Sequence, residues 1–321
     1  MMKVFLLSVL VILLSCSRGQ ESNKVDISID GTKDFLVKEK SIENLVRESH
    51  KELKSNSRNF NEYKEFLHKL DENNIASIPL LLDYIKTSID SNNTDRDSIF
   101  LLFNIKFYTI TERLNDSLYT KFNYLTVQLQ KDSTTQELNA FENNLTDCGL
   151  AIFQTEGMYY LDVMPDFFYG NFKDRVSEGV REFLKIRKDE LKQGFSEDAM
   201  LLISFDDLYD RIIRWEKFLI QFPNTVYTDY ANSLYTTYLE TLMTGMDNSR
   251  VFTPDSDILL PDVKVLYEKI IAEKSKSSTT RTIESYYNFL SRHDFTENDS
   301  IKIFLKELNL STMLAVQPHT R

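Results

Sequence analysis

Four histidines, two cysteines and a surplus of carboxylates are the residues here that could do chemistry, and their spacing removes most of the options. His50, His68, His293 and His319 never fall at i, i+4, and no H-E-x-x-H occurs, so no helical zinc site is present. His50 and His68 lie in polar stretches of predicted helix and are expected to face solvent. Asp90-Ser91-Asn92-Asn93-Thr94-Asp95 begins like a calcium loop, but it lacks the glycine at its sixth position and has Leu101 where the twelfth needs Glu. Asp255, Asp257 and Asp262 suit a weak cation site or, more simply, capping of a helix that starts near Val263. There is no G-x-S-x-G, no P-loop and no Ser/Lys box. Asp206 and Asp207 follow Ser204, where first-turn acids complement a helix dipole. No metal, no cofactor and no enzymatic activity are expected. The one catalytic reading left is an envelope hydrolase pairing Glu156 or Asp162 with another carboxylate.

Binding residues are a different matter. Glu216 falls between Ile212 and Leu219 on an apolar stripe, so it is expected to be partly buried and to need a partner. Arg211 stands four residues before Trp215 and four after Asp207, which permits an ion pair and a cation–π contact along one helix face. These residues form either a polar network locking neighbouring helices or the floor of a ligand groove lined by Trp215 and Tyr235. The same choice applies to Tyr159 and Tyr160 beside Glu156. Exposed, their rings suit a glycan or an extended peptide; packed, they are core.

The amino terminus carries the most specific signal. Met1-Met2-Lys3 is followed by an apolar run from Val4 to Leu14, interrupted only by Ser8. Such a run is too short to span about 30 Å of hydrocarbon and reads as a signal peptide over residues 1–15. Its end, Leu13-Leu14-Ser15-Cys16, resembles the bacterial lipobox. The resemblance implies that Cys16 is acylated on sulfur and becomes the new N-terminus, a lipid anchor in the cell envelope. Each buried CH₂ contributes about 0.8 kcal/mol, so two or three acyl chains hold a soluble body where one does not. Ser17 after the cysteine, again by resemblance, implies transfer to an outer membrane in a Gram-negative host. Cys148 is then the only other cysteine, so no intramolecular disulfide is expected. With Asp147 beside it and no neighbouring histidine, Cys148 reads as a buried, unreactive thiol.

The elements that must position these residues are mostly helices. Residues 16–34 read as a polar tether, and 35–147 as an N-terminal helical region. Within it Ile75, Ile78, Leu81, Leu82, Ile85 and Ile89 share one helix face, and Ile99–Tyr108 forms a central helix. Leu118, Phe122, Leu125 and Leu129 are expected to make a further stripe with Asp116 near its first turn, and Ser91–Thr94 to supply an N-cap. Leu150–Thr155 and Met158–Val163 flank Glu156-Gly157 as a hairpin within an aromatic segment, 148–172. Helices resume over 173–308: one ends before Pro223, its partner stops at Thr244-Gly245 with an αL cap, and three more follow. A tail covers 309–321.

Trp215-Glu216-Lys217-Phe218-Leu219 echoes Tyr267-Glu268-Lys269-Ile270-Ile271 at a period of 52 residues, and the offset also matches Thr228 to Thr280, Ser233 to Ser285 and Tyr235 to Tyr287. A duplicated helical hairpin leaves such a trace, as does chance. Phe222-Pro223-Asn224-Thr225-Val226-Tyr227 followed by Ala231 resembles tetratricopeptide-type lipoproteins, in which the proline breaks the hairpin and the small residue lets helices approach. The Glu-Gly-x-Tyr-Tyr hairpin ahead of helices resembles bacterial lipoproteins of uncharacterised function and implies no activity.

With only 8 Gly and 6 Pro in 321 residues, the chain lacks the turn signals of an all-β protein and the glycines of phosphate loops. A formal charge of −11 argues against a nucleic-acid partner. The expected fold is therefore mainly α, an α-solenoid or irregular helical array with one inserted β-hairpin. The expected role is a lipid-anchored envelope protein that presents a helical surface to a protein or peptide, or alternatively binds a glycan or small envelope ligand.

Overall fold

The computed structural model describes residues 60–89, 95–121, 123–131, 135–273 and 277–307. The signal peptide, Cys16, the tether, Ser91–Thr94, Phe122 and the tail lie outside them. The chain is mainly helical and divides after Ser177 into two compact units, so the β-hairpin belongs with the N-terminal helices.

The first unit comprises α1 (Phe60–Lys69), α2 (Ser77–Ser88), α3 (Arg96–Leu118), α4 (Asn123–Gln130), α5 (Gln136–Asp147), β1 (Leu150–Thr155), β2 (Met158–Val163) and α6 (Phe167–Phe172). The α2 stripe is buried as its spacing predicts, with Ile78, Leu81 and Ile85 at zero exposure. Helix α3 is the core element. Phe100, Phe103 and Phe107 pack against Phe168 and Phe172 of α6, with Phe172 5.0 Å from both Phe100 and Phe103. It runs further than the sequence implies, through Asp116 to Leu118, so Asp116 lies in a last turn rather than a first. Asp95, its N-cap, makes no side-chain cap bond.

The hairpin forms in the expected register, Leu150 opposite Val163 through Thr155 opposite Met158. Glu156 and Gly157 both take positive φ, 49° and 77°, the left-handed pair that a two-residue turn requires. Gly149, at φ 78°, starts the hairpin, and a Cβ there would meet the Phe167 ring at 2.2 Å.

The second unit comprises α7 (Glu178–Gln193), β3 (Ser196–Glu197), β4 (Met200–Leu201), α8 (Phe205–Gln221), α9 (Thr228–Thr244), β5 (Gly245–Met246), β6 (Ser249–Arg250), α10 (Pro261–Ala272), α11 (Ser278–Ser291) and α12 (Ser300–Glu307). The five helices expected over this stretch after residue 204 are all present, and Ser204 with Asp207 makes a reciprocal capping box for α8. Two further hairpins, β3–β4 and β5–β6, correct the expectation of only one. They are too short to leave a period-2 hydrophobic pattern. Gly245 has the positive φ expected of it, but ψ is −164°, so α9 passes straight into a strand and has no αL cap.

The loops at one end of these helices are laced to one another. Asn248 donates from its backbone to Ala199 (3.0 Å) and from its side chain to Asp198 (2.6 Å), and Leu201 N donates to Ser249 Oγ (2.9 Å). The next loop repeats the pattern: Leu259 N donates to Phe295 O (2.8 Å) and Glu297 N to Asp257 O (2.7 Å). Asp257 is thus a loop residue, and α10 starts with Pro261 at its first turn without a side-chain cap, so neither Asp255 nor Asp257 caps it.

Candidate functional site

A connected polar cluster lies between α7, α8 and α9, and its centre is Glu190, 3% exposed. Its carboxylate accepts from Trp215 Nε1 at 2.6 Å, from Arg187 Nη1 at 2.7 Å and from Tyr238 Oη at 3.2 Å. A buried carboxylate is costly unless paired and fully hydrogen-bonded, and here all three donors come from different places on the fold. The Tyr238 phenol is held well above its ordinary range, first by burial and then by the adjacent Glu190 charge. Glu190 belongs to no motif, yet the sequence does carry a signal for it. It stands seven residues after Phe183 on the face that buries Val180 and Phe183, the same anomaly that marked Glu216.

Arg211 is buried as well, but its partners differ from the expected ones. Asp207 is engaged by Ser204, at 2.6 Å to its hydroxyl, and the indole of Trp215 faces Phe183 and Phe218. Arg211 instead donates to Gln193 Oε1 (2.9 Å) and the Gly194 carbonyl (2.6 Å) at the end of α7, and lies 5.8 Å from the Tyr238 ring centre. A cation at a helix C-terminus is electrostatically favourable.

Glu216 is buried and does have a partner. Its carboxylate accepts from the backbone of Ser278 and of Thr279 (3.4 Å) and from Thr279 Oγ1 (2.8 Å), an acid at the N-terminus of α11. Since the Thr279 hydroxyl spends its only proton on Glu216, the Tyr235 hydroxyl 3.1 Å away donates to Thr279. Trp215 therefore faces α7 and Tyr235 faces α11. Trp215 has zero exposure, so the two do not line one open groove.

The remaining residues sit in the first unit. Glu156 is exposed at the hairpin tip, while Tyr159 and Tyr160 are half-buried on opposite faces of β2. Tyr160 stacks on its cross-strand partner Phe153 at 5.7 Å. Glu156 sits in the turn that precedes β2, and Asp162 lies near the other end of that strand, where its Oδ1 accepts from Val163 N at 2.7 Å. The outer edge of β2 is covered by α3. Asn115 pairs with Leu161 through both its amide atoms, at 2.9 and 2.7 Å, and the Tyr119 hydroxyl donates to the Tyr159 carbonyl at 2.7 Å.

Among the described residues no three His, Cys, Asp or Glu side chains group as metal ligands, and no helix is long and apolar enough to cross a membrane. Cys148 is buried, and burial followed by the Asp147 charge pushes its thiol up to about 12. No protein-family model, curated protein or solved structure matches the chain.

Proposed function

We propose that this chain is a lipid-anchored envelope protein whose C-terminal unit is a helical repeat offering a surface to a protein or peptide partner. The observation that supports the reading is a pair of helix-to-helix hydrogen bonds at equivalent places, one to a side-chain carboxylate and one to a backbone carbonyl. Trp215 reaches back 25 residues from α8 to Glu190 on α7, and Tyr267 reaches back 25 residues from α10 to the Leu242 carbonyl on α9, at 2.8 Å. The two bonds are related by the same 52-residue offset as the sequence echo. Burial follows that offset: Arg211 and Val263, Phe218 and Ile270, Ala231 and Ile283, Leu234 and Tyr286, and Tyr238 and Leu290 are buried alike. Stacked helical units of this kind generate extended surfaces that bind partners without chemistry. The anchor rests on the resemblance of Leu13–Cys16 to a lipobox, which supports an envelope location, and Ser17 supports the outer membrane in a Gram-negative host.

Chemical cross-linking in intact cells tests this, comparing wild type with Cys16→Ala. One recurrent protein partner, captured only with the anchor intact, is expected. Capture of polysaccharide, or of nothing proteinaceous, sinks the reading and favours the second one, a glycan-binding role for the half-exposed Phe153–Tyr160 stack.

A further inference from the structure

The cluster around Glu190 contains one cation that is not fully satisfied. Arg211 is 4% exposed, and a guanidinium keeps its charge at any physiological pH. Nη2 is engaged by Gln193 and Gly194, but Nε and Nη1 are buried and have no hydrogen-bond partner among the described residues. Those two nitrogens carry three N–H donors, and buried donors are seldom left unmade.

The local charge does not balance either. The Glu190 carboxylate already accepts from Arg187, Trp215 and Tyr238, and Arg211 is not among its donors. The groups facing Arg211 are the Gln193 amide and Gly194 carbonyl from α7 and the Tyr238 ring from α9, none of them an anion. On its own helix, the acid one turn earlier, Asp207, is held in the capping box. The C-terminus of α7 supplies about half a negative charge. A positive charge therefore remains in a place water hardly reaches, since Nε and Nη1 are both buried.

We propose that Nε and Nη1 of Arg211 hold a small inorganic anion of halide size, enclosed between the end of α7, α8 and α9. A water molecule would satisfy the donors but leave the charge, whereas a small anion answers both. The site is independent of any partner at the protein's surface.

The reporter is built in. Trp215 is the only tryptophan in the chain and lies one helical turn from Arg211. The full-length chain is unfolded thermally in chloride and in gluconate at equal ionic strength, following tryptophan fluorescence, with Arg211→Met alongside. Wild type is expected to gain a saturable ~2–4 °C in chloride, and the variant none. Crystals grown in bromide are expected to show an anomalous peak within hydrogen-bond reach of Nε. Should Arg211→Met fail to fold, the wild-type titration and the bromide map decide alone. Equal midpoints in chloride and gluconate, or no bromide at Nε, overturn the proposal, as does a rise specific to phosphate or acetate.

Discussion

Asn115 makes with Leu161 the two hydrogen bonds that a neighbouring strand would make, its Nδ2 donating to the carbonyl at 2.9 Å and its Oδ1 accepting from the amide at 2.7 Å. One side chain of a helix thus stands in for a peptide group and closes the edge of β2. Tyr119, one turn later, does the same work at Tyr159. An edge strand covered in this way offers no template for pairing with another chain.

Replacing Asn115 with Leu leaves both groups of Leu161 unpaired in a part-buried setting and is expected to cost ~2–4 kcal/mol. Asn115→Asp keeps an acceptor for the amide and is expected to cost less. Urea titration followed by circular dichroism checks both, and equal stability of all three chains would show that water replaces the amide.

Glu190→Gln removes the buried carboxylate that pairs with Arg187 and is expected to destabilise the second unit by ~3 kcal/mol, the scale for breaking a buried pair. Because the chain has a single tryptophan, at position 215, its fluorescence reports that unit. The denaturation midpoint of this signal is the measurement, and an unchanged midpoint would place the charge balance elsewhere.

Gly149→Ala combines a disfavoured φ of 78° with a Cβ driven to 2.2 Å from the Phe167 ring. A loss of ~2 kcal/mol or more is expected, in contrast to Gly170→Ala, where a Cβ meets nothing within 4 Å. Side-by-side thermal melts separate the two.

Cys148 is expected to resist a disulfide reagent at pH 8 in the folded chain and to react on denaturation, read by mass spectrometry of its peptide. Its folded-state pKa, about 12, is raised above the unfolded value near 9. The stability it contributes is therefore complete below about pH 9 and is lost as pH rises towards 12.

Glu240 is likewise raised by burial, so ionising it opposes folding. Its contribution is present below the usual carboxylate range and lost as pH rises through the folded value. Glu240→Gln is thus expected to raise the melting temperature at pH 7, with the gain shrinking as the solution is acidified below pH 4. A variant that is no more stable at neutral pH contradicts this.

Much of this arrangement is legible in the residues themselves. The α2 stripe and the Glu156-Gly157 turn are local facts, set by periodicity and by two residues that must adopt left-handed backbone. Glu216 could be picked out because a charge on an apolar stripe has to be answered. What answered it, the start of α11 some 60 residues away, is a tertiary contact with no local trace. The same limit explains Arg211: Asp207 and Trp215 lie at the right spacing, but the capping box and the aromatic core claimed them first. The β3–β4 and β5–β6 hairpins were invisible because two-residue strands have no pattern; they exist to lace one loop to the next.

That lacing bears on where the protein can be altered. Every loop at the end of the second unit that holds Ala199, Asn248, Leu259 and Phe295 is hydrogen-bonded to its neighbour, so lengthening one displaces the next. The turn between α8 and α9 lies about 25 Å away at the far end of a 17-residue helix, with Pro223 and Asn224 exposed. An affinity tag or a fluorophore belongs there, and natural variation in loop length should collect at that end too.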